Sequence, residues 1–162
     1  MRSQRWRAIG VAAVCALAVA ALGALSTDLG TWYAGLKQPD WKPPDAWFGP
    51  IWTAIFGCAA LSGAIAWRAA DHASQRKNLA LLWSANGFFN VLWSLLFFRL
   101  RRPDWALIEV FALLATIVLL IAVSARLSRA AVWLLVPYLV WVSTAALLNR
   151  GVVRLNAPFS GS

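Results

Sequence analysis

The stretch Trp32–Gly57, "WYAGLKQPDWKPPDAWFGPIWTAIFG", governs how the rest of the chain is read. Tryptophans stand at 32, 41, 47 and 52, and prolines at 39, 43, 44 and 50. The segment around Pro43 and Pro44 cannot continue a helix, because proline lacks a backbone N–H and drives the residue before it into extended conformations. Beyond Asp45 the sequence passes without a break into an apolar run. A stiff, aromatic-rich loop therefore leads straight into a segment with the composition of a membrane span.

The sequence on either side supports that reading. Hydrophobic residues make up 61% of the 162 residues and charged residues 13%, whereas soluble domains average roughly 45–50% and about 25%. So few charges cannot cover so much apolar surface in water, so lipid is the expected solvent. A bilayer crossing takes about 20 apolar residues, and five stretches qualify: 8–25, 46–67, 79–98, 105–125 and 130–149. Glu109 is the one charged residue inside them. The expected fold class is all-α, a polytopic membrane protein formed by residues 1–162 as a single five-helix transmembrane domain, with residues 26–45 as a lid loop. The opening "MRSQRWRAIGVAAVCALAVAALGALS" has the basic start and apolar middle of a signal peptide. Its 18 apolar residues exceed a usual signal core and four more spans follow, so it is read as a retained helix.

Charge gives little direction. If the spans alternate, eight bases (Arg2, Arg5, Arg7, Arg68, Arg76, Lys77, Arg126 and Arg129) flank one side, and seven (Lys37, Lys42, Arg99, Arg101, Arg102, Arg150 and Arg154) flank the other. The N-terminal arginine cluster favours an inside N-terminus. The net charge of +9 is thus spread over both membrane faces, as lipid head-group anchoring requires. Nucleic-acid binding needs one concentrated basic face, and the sequence shows none. Cys15 and Cys58 both fall within apolar spans, which argues against a disulfide or a metal site.

Depth and facing pick out candidate residues. A helix rises about 1.5 Å per residue, which places Trp52, Asn90, Trp93 and Trp141 roughly 8–12 Å below the side bearing the long loop. Asn86 lies near mid-membrane and Glu109 nearer the loop. Trp83, Asn86, Asn90, Trp93 and Phe97 recur at helical spacing and form one stripe. Tyr138, Trp141, Ala145 and Leu148 form another, and Trp52 and Phe56 are one turn apart. An asparagine facing lipid has no hydrogen-bond partner, so the first stripe is expected to face the interior. Two roles stay open for Asn86 and Asn90, interhelical bonding and ligand contact; Trp52, Trp93 and Trp141 are core packing or ligand contacts. Trp6, Trp47, Trp67, Trp105 and Trp133 read as interfacial anchors. Trp32, Tyr33 and Trp41 give the loop flat apolar faces with a polar edge, suited to cover a flat, mostly apolar ligand. Pro137 is expected to free a backbone carbonyl near the same chamber.

The motifs "WYAGL", "QPDWKPP", "FGPIWT", the run from Asn86 to Phe98 and "PYLVW…AALLN" from Pro137 to Asn149 resemble the TspO/MBR family of tryptophan-rich sensory proteins and translocator proteins. The likeness extends over nearly the whole chain. It implies a five-helix bundle, often homodimeric, that binds porphyrins and haem-related tetrapyrroles such as protoporphyrin. The family's pocket corresponds to Trp32, Tyr33, Trp52, Phe56, Asn86, Asn90, Trp93, Trp141 and Ala145, and the depth argument adds Tyr138. Some bacterial members are reported to degrade bound porphyrin in light, with tryptophans at the positions of Trp32 and Trp141 implicated. These two are the only catalytic candidates. Two departures stand out. The usual "KP" reads Gln38-Pro39, and Arg150 stands where the sterol pattern of animal members has tyrosine, which weighs against cholesterol as a ligand.

The function expected from these observations is a multi-pass receptor or sensor for tetrapyrroles, in a bacterial membrane, needing no cofactor and holding porphyrin or haem as ligand. Ligand propionates are expected to meet Lys37, Lys42 or Arg99. His72, the one histidine, falls on the opposite side, so protein ligation of haem iron is not expected. The alternatives are light-dependent porphyrin degradation and transport of porphyrin or sterol-like ligands. Hydrolytic or acid–base chemistry lacks a nucleophile–base set, and transport lacks the internal repeat common in secondary transporters. A ligand-free scaffold is also conceivable, since Ala12, Ala16, Ala20 and Ala24 give span 1 a small-residue face for packing within the bundle or at a dimer seam.

Overall fold

The computed structural model describes residues 2–159, with side chains from Ile9 onward. The side chains of Arg2, Arg5, Trp6 and Arg7 lie outside the described residues. The helices are α1 (Arg2–Ser26), α2 (Thr31–Ala34), α3 (Phe48–Ala69), α4 (Ala73–Ser94), α5 (Pro103–Ala125) and α6 (Arg129–Asn156). All except the single turn α2 are long and apolar enough to cross a membrane, five in total. This agrees with the composition, because in lipid each backbone polar group has to be satisfied within its own helix.

Local chemistry sets the helix ends. At the end of α1, the Ser26 and Thr27 hydroxyls donate to the carbonyls of Leu22 and Gly23, at 2.7 and 2.8 Å. The Asp28 carboxylate then accepts from Gly30 N and turns the chain. Pro50 sits in the first turn of α3 and Pro103 opens α5, positions where a missing N–H costs nothing. At the other face of the membrane, Gln75 Oε1 accepts from the backbone of Asp71 and His72, which closes the start of α4. His72 is therefore a helix-start residue. α6 stops at Asn156 because the extended Ala157 precedes Pro158.

The spans differ in detail from the sequence reading. α4 starts six residues before the expected 79, because the amphipathic segment Ala73–Asn78 is already helical. α6 runs seven residues past the expected 149, continuing through Val152 and Val153 to Asn156. The long loop is not extended throughout, since Thr31–Ala34 makes a helical turn and Lys42 N bonds Pro39 O at 3.0 Å. After Ser94 the helix widens into a π turn, Leu95–Arg99, and Arg101 then takes a left-handed φ of 54° to break the chain before Pro103.

Around the bundle the helices follow the order α1, α3, α6, α5, α4 and back to α1. The central core gathers Ile55, Val110, Leu113, Ile117, Leu120, Leu135, Tyr138 and Val142. At the His72 end Ala66, Ala70, Leu79 and Ala131 pack closely, and Ser62 Oγ donates to the Ala131 carbonyl at 2.8 Å. At the loop end Phe97, Ala106 and Val152 are buried, with Trp32, Tyr33, Leu36 and Phe98 packed around them. Ala12, Ala16 and Ala20 are half-buried and Ala24 is exposed, while Val19 would meet a Cβ on Gly87 at 3.0 Å. α1 packs against α3 and α4.

Candidate functional site

Two aromatic arrays fill the loop end. The deeper one joins α3 and α6. Trp52 stacks on Phe56, with centroids 5.2 Å apart, and presents edges to Tyr138 at 6.3 Å and Trp141 at 6.5 Å. Phe48 meets Trp141 edge-on at 5.4 Å. Ala145 is half-buried one turn above Trp141. The upper array joins α4 and the loop. Trp93 stacks on Phe97 at 5.1 Å and meets Phe98 edge-on at 6.1 Å. Trp32 lies edge-on to Phe97 at 6.2 Å, and Tyr33 tilts against Phe98 at 5.7 Å. Consecutive phenylalanines would diverge on a regular helix. The wider π turn, a feature frequent at functional sites, lets both reach Trp93.

The expected site residues therefore come together at the loop end, in two groups. Trp32 contacts the upper array and Trp141 the deeper one. Trp93 packs against both the central and the loop-end cores.

The asparagines have internal partners. Asn90 Nδ2 donates to the Tyr138 hydroxyl at 3.1 Å, and that hydroxyl donates to Asn86 Oδ1 at 3.1 Å. Asn86 Nδ2 donates to Thr116 Oγ1 at 2.9 Å, and Thr116 donates to the Leu113 carbonyl at 2.7 Å. This relay ties α4, α6 and α5 together through buried groups. Tyr138 and Thr116 answer the need that brings Asn86 and Asn90 inward.

The long loop is fastened at both ends of its proline segment. Asn156, on the unexpected extension of α6, accepts from Lys37 N and donates to Lys37 O, both at 2.8 Å. Pro39 lies so close to Gly151 that a Cβ there would come within 2.5 Å of Pro39 Cγ. Further on, Asp45 accepts from both the Tyr33 hydroxyl, at 2.9 Å, and the Lys42 ammonium. Burial, reinforced by the Asp45 carboxylate, raises the Tyr33 phenol well above its ordinary range, so it remains a donor. Sequence reasoning missed Asn156, Gly151 and Asp45. The apolar rhythm continuing through Val152 and Val153 was the available signal for the longer α6.

Two of the expected rim cations are already engaged. Lys42 is paired with Asp45, and Arg99 donates to the Leu25 carbonyl at 2.6 Å. The residue that sequence reasoning passed over is Arg101, which makes no ion pair among the described residues and lies 5.9 Å from the Trp32 ring. Pro137 also departs from expectation. It is exposed on the outer face of α6, as is Trp133 one turn below, so the carbonyl that it frees belongs to the outer surface. Trp47, Trp67, Trp105 and Trp133 are exposed, as interfacial anchors are.

Three side chains at this end carry buried polar atoms without a partner among the described residues: Gln38 Nε2, Trp141 Nε1 and both carboxyl oxygens of Glu109. Native structures leave few such groups unpaired.

Five spanning helices, an aromatic interior and a fastened loop define a multi-pass integral membrane protein with a candidate binding end. The chain belongs to the TspO/MBR family, whose model matches residues 11–155. A tryptophan-rich protein TspO of Archaeoglobus fulgidus is 35% identical over 91% of this chain and 94% of its own length. One from Bacillus cereus is 33% identical over 78% of this chain and 81% of its own. The human translocator protein is 28% identical over 80% of this chain and 78% of its own.

Proposed function

We propose that this protein is an integral membrane receptor or sensor for tetrapyrroles, bound among the aromatic arrays beneath the loop. The observation that supports this most directly is the deeper array. Trp52, Phe56, Tyr138 and Trp141 present flat faces and edges at 5–7 Å spacing on two different helices, and rings so placed favour stacking and edge contacts with a planar conjugated ligand. The ligand's propionates point to the loop side, where Arg101 and the Lys37 side chain are among the cations that no acid holds among the described residues. The loop acts as a lid, fastened by Asn156 and Gly151, with Trp32 closing over the ring. Homodimer formation belongs to the same proposal, by analogy with the family pattern.

Light-dependent porphyrin degradation is the second reading. It draws on Trp141, whose buried indole N–H has no partner among the described residues. Titration of the protein in lipid with protoporphyrin IX tests the first reading. Saturable quenching of tryptophan fluorescence at micromolar ligand or below supports it, and absence of saturable quenching overturns porphyrin as the ligand. Loss of porphyrin absorbance under illumination, abolished in Trp141→Phe, supports the second.

A further inference from the structure

Glu109 is 9% exposed, and neither carboxyl oxygen has a hydrogen-bond partner among the described residues. A carboxyl in that position is costly in a membrane interior unless something meets it. Its place in the bundle is well defined. By helical register it shares a face of α5 with Ala106 above and Leu113 and Thr116 below. Ala106 belongs to the loop-end core with Phe97, and Leu113 to the central core with Tyr138. Trp93 is the residue that packs against both of these cores. By register, Glu109 therefore lies on α5 between the residues that join the loop-end core and those that join the central core. The relay from Asn90 to Thr116 passes below it and does not satisfy it.

The other orphaned groups at this end are donors, the Trp141 indole N–H and the Gln38 amide. The loop end thus offers one carboxyl acceptor and two donors with no partner among the described residues. We infer that Glu109 receives an N–H donor on the ligand, and that the preferred ligand is an open-chain tetrapyrrole rather than a closed macrocycle. This rests on the tetrapyrrole reading above and narrows it. In a closed porphyrin the N–H bonds point in-plane toward the ring centre, where a carboxylate cannot align with them, and good hydrogen bonds need a near-linear approach. An open-chain tetrapyrrole carries its N–H groups on an accessible concave edge. Its terminal lactam carbonyls supply the acceptors that Trp141 and Gln38 lack. Its π system still stacks on the indoles.

The test titrates two probes, biliverdin and protoporphyrin IX, against the full chain and against Glu109→Leu, with thermal unfolding of each protein recorded. The full chain is expected to bind biliverdin at least as tightly as protoporphyrin IX. Glu109→Leu is expected to weaken biliverdin at least tenfold and protoporphyrin IX less than threefold. Its unfolding midpoint stays level or rises, because an unpaired buried carboxyl has been replaced by an apolar group. A purely structural carboxyl would instead show a lower midpoint and no difference between probes. Glu109→Gln keeps a carbonyl acceptor and is expected to recover most of the biliverdin affinity; Glu109→Met replaces the leucine variant if that one does not fold. Equal weakening of both probes, or of neither, overturns the inference. Binding of protoporphyrin IX without biliverdin overturns it too, while leaving the tetrapyrrole reading intact. Saturable binding of neither probe overturns both.

Discussion

The two ends of the bundle are built from different materials. At the His72 end, small residues close the helices on one another: Ala66, Ala70 and Ala131 are fully buried, and the Ser62 hydroxyl reaches straight to a backbone carbonyl. Small side chains let helix backbones approach, which is the main source of association where lipid removes the hydrophobic driving force. At the loop end, large rings pack between the helices, and polar atoms of Gln38, Glu109 and Trp141 have no partner among the described residues. One end is optimised for contact with itself, and the other keeps bonding capacity for something else. Close helix packing and unpaired polar groups thereby lie toward different ends of the bundle. Trp83, which packs toward the small-residue end, also has an indole N–H without a partner among the described residues, and nothing in the structure explains it.

The sharpest way to break this comparison is to overpack the small-residue end. Ala131→Leu forces a branched side chain into a site that is 0% exposed, and is expected to cost up to about 3 kcal/mol. The check is a fall in the unfolding midpoint in detergent or lipid with unchanged ligand affinity in the folded fraction. A large affinity loss at constant stability would show that the two ends are not separable.

The relay between the two ends comes next in size. Tyr138→Phe leaves the Asn90 amide and the Asn86 carbonyl without their shared partner, at a cost of about 2 kcal/mol. Because the ring remains, stacking against Trp52 is kept. Stability is therefore expected to fall while protoporphyrin affinity changes less than threefold. If affinity falls tenfold instead, the relay belongs to the binding site.

The smallest expected effect on stability falls on the lid. Gly151→Ala puts a methyl group 2.5 Å from Pro39 Cγ, a contact that the rigid proline ring can relieve only by moving the loop. Alanine favours the helix by roughly 0.5–1 kcal/mol over glycine, which offsets the lost loop packing. Global stability should hardly change, while hydrogen exchange between Lys37 and Lys42 rises and ligand leaves faster. Unchanged exchange in that segment would mean that the loop is not fastened through α6.

The sequence alone determined the number of spans, their lipid solvation and the inward stripe Trp83, Asn86, Asn90, Trp93 and Phe97, because these depend on helical period and on the cost of polar groups in lipid. It also placed Trp52, Asn90, Trp93 and Trp141 toward the loop end, since depth follows from rise per residue. Tertiary structure decided which groups meet. Tyr138 and Thr116 satisfy the asparagines; Trp32 joins Phe97 and not Trp141; Asn156 reaches back 119 positions to grip Lys37. Each of these pairings depends on the rotation and axial register of one helix against another, which the period within a single helix does not encode. The unpaired state of Glu109 is of the same kind, because a carboxyl is orphaned or satisfied only by what the neighbouring helices bring to it.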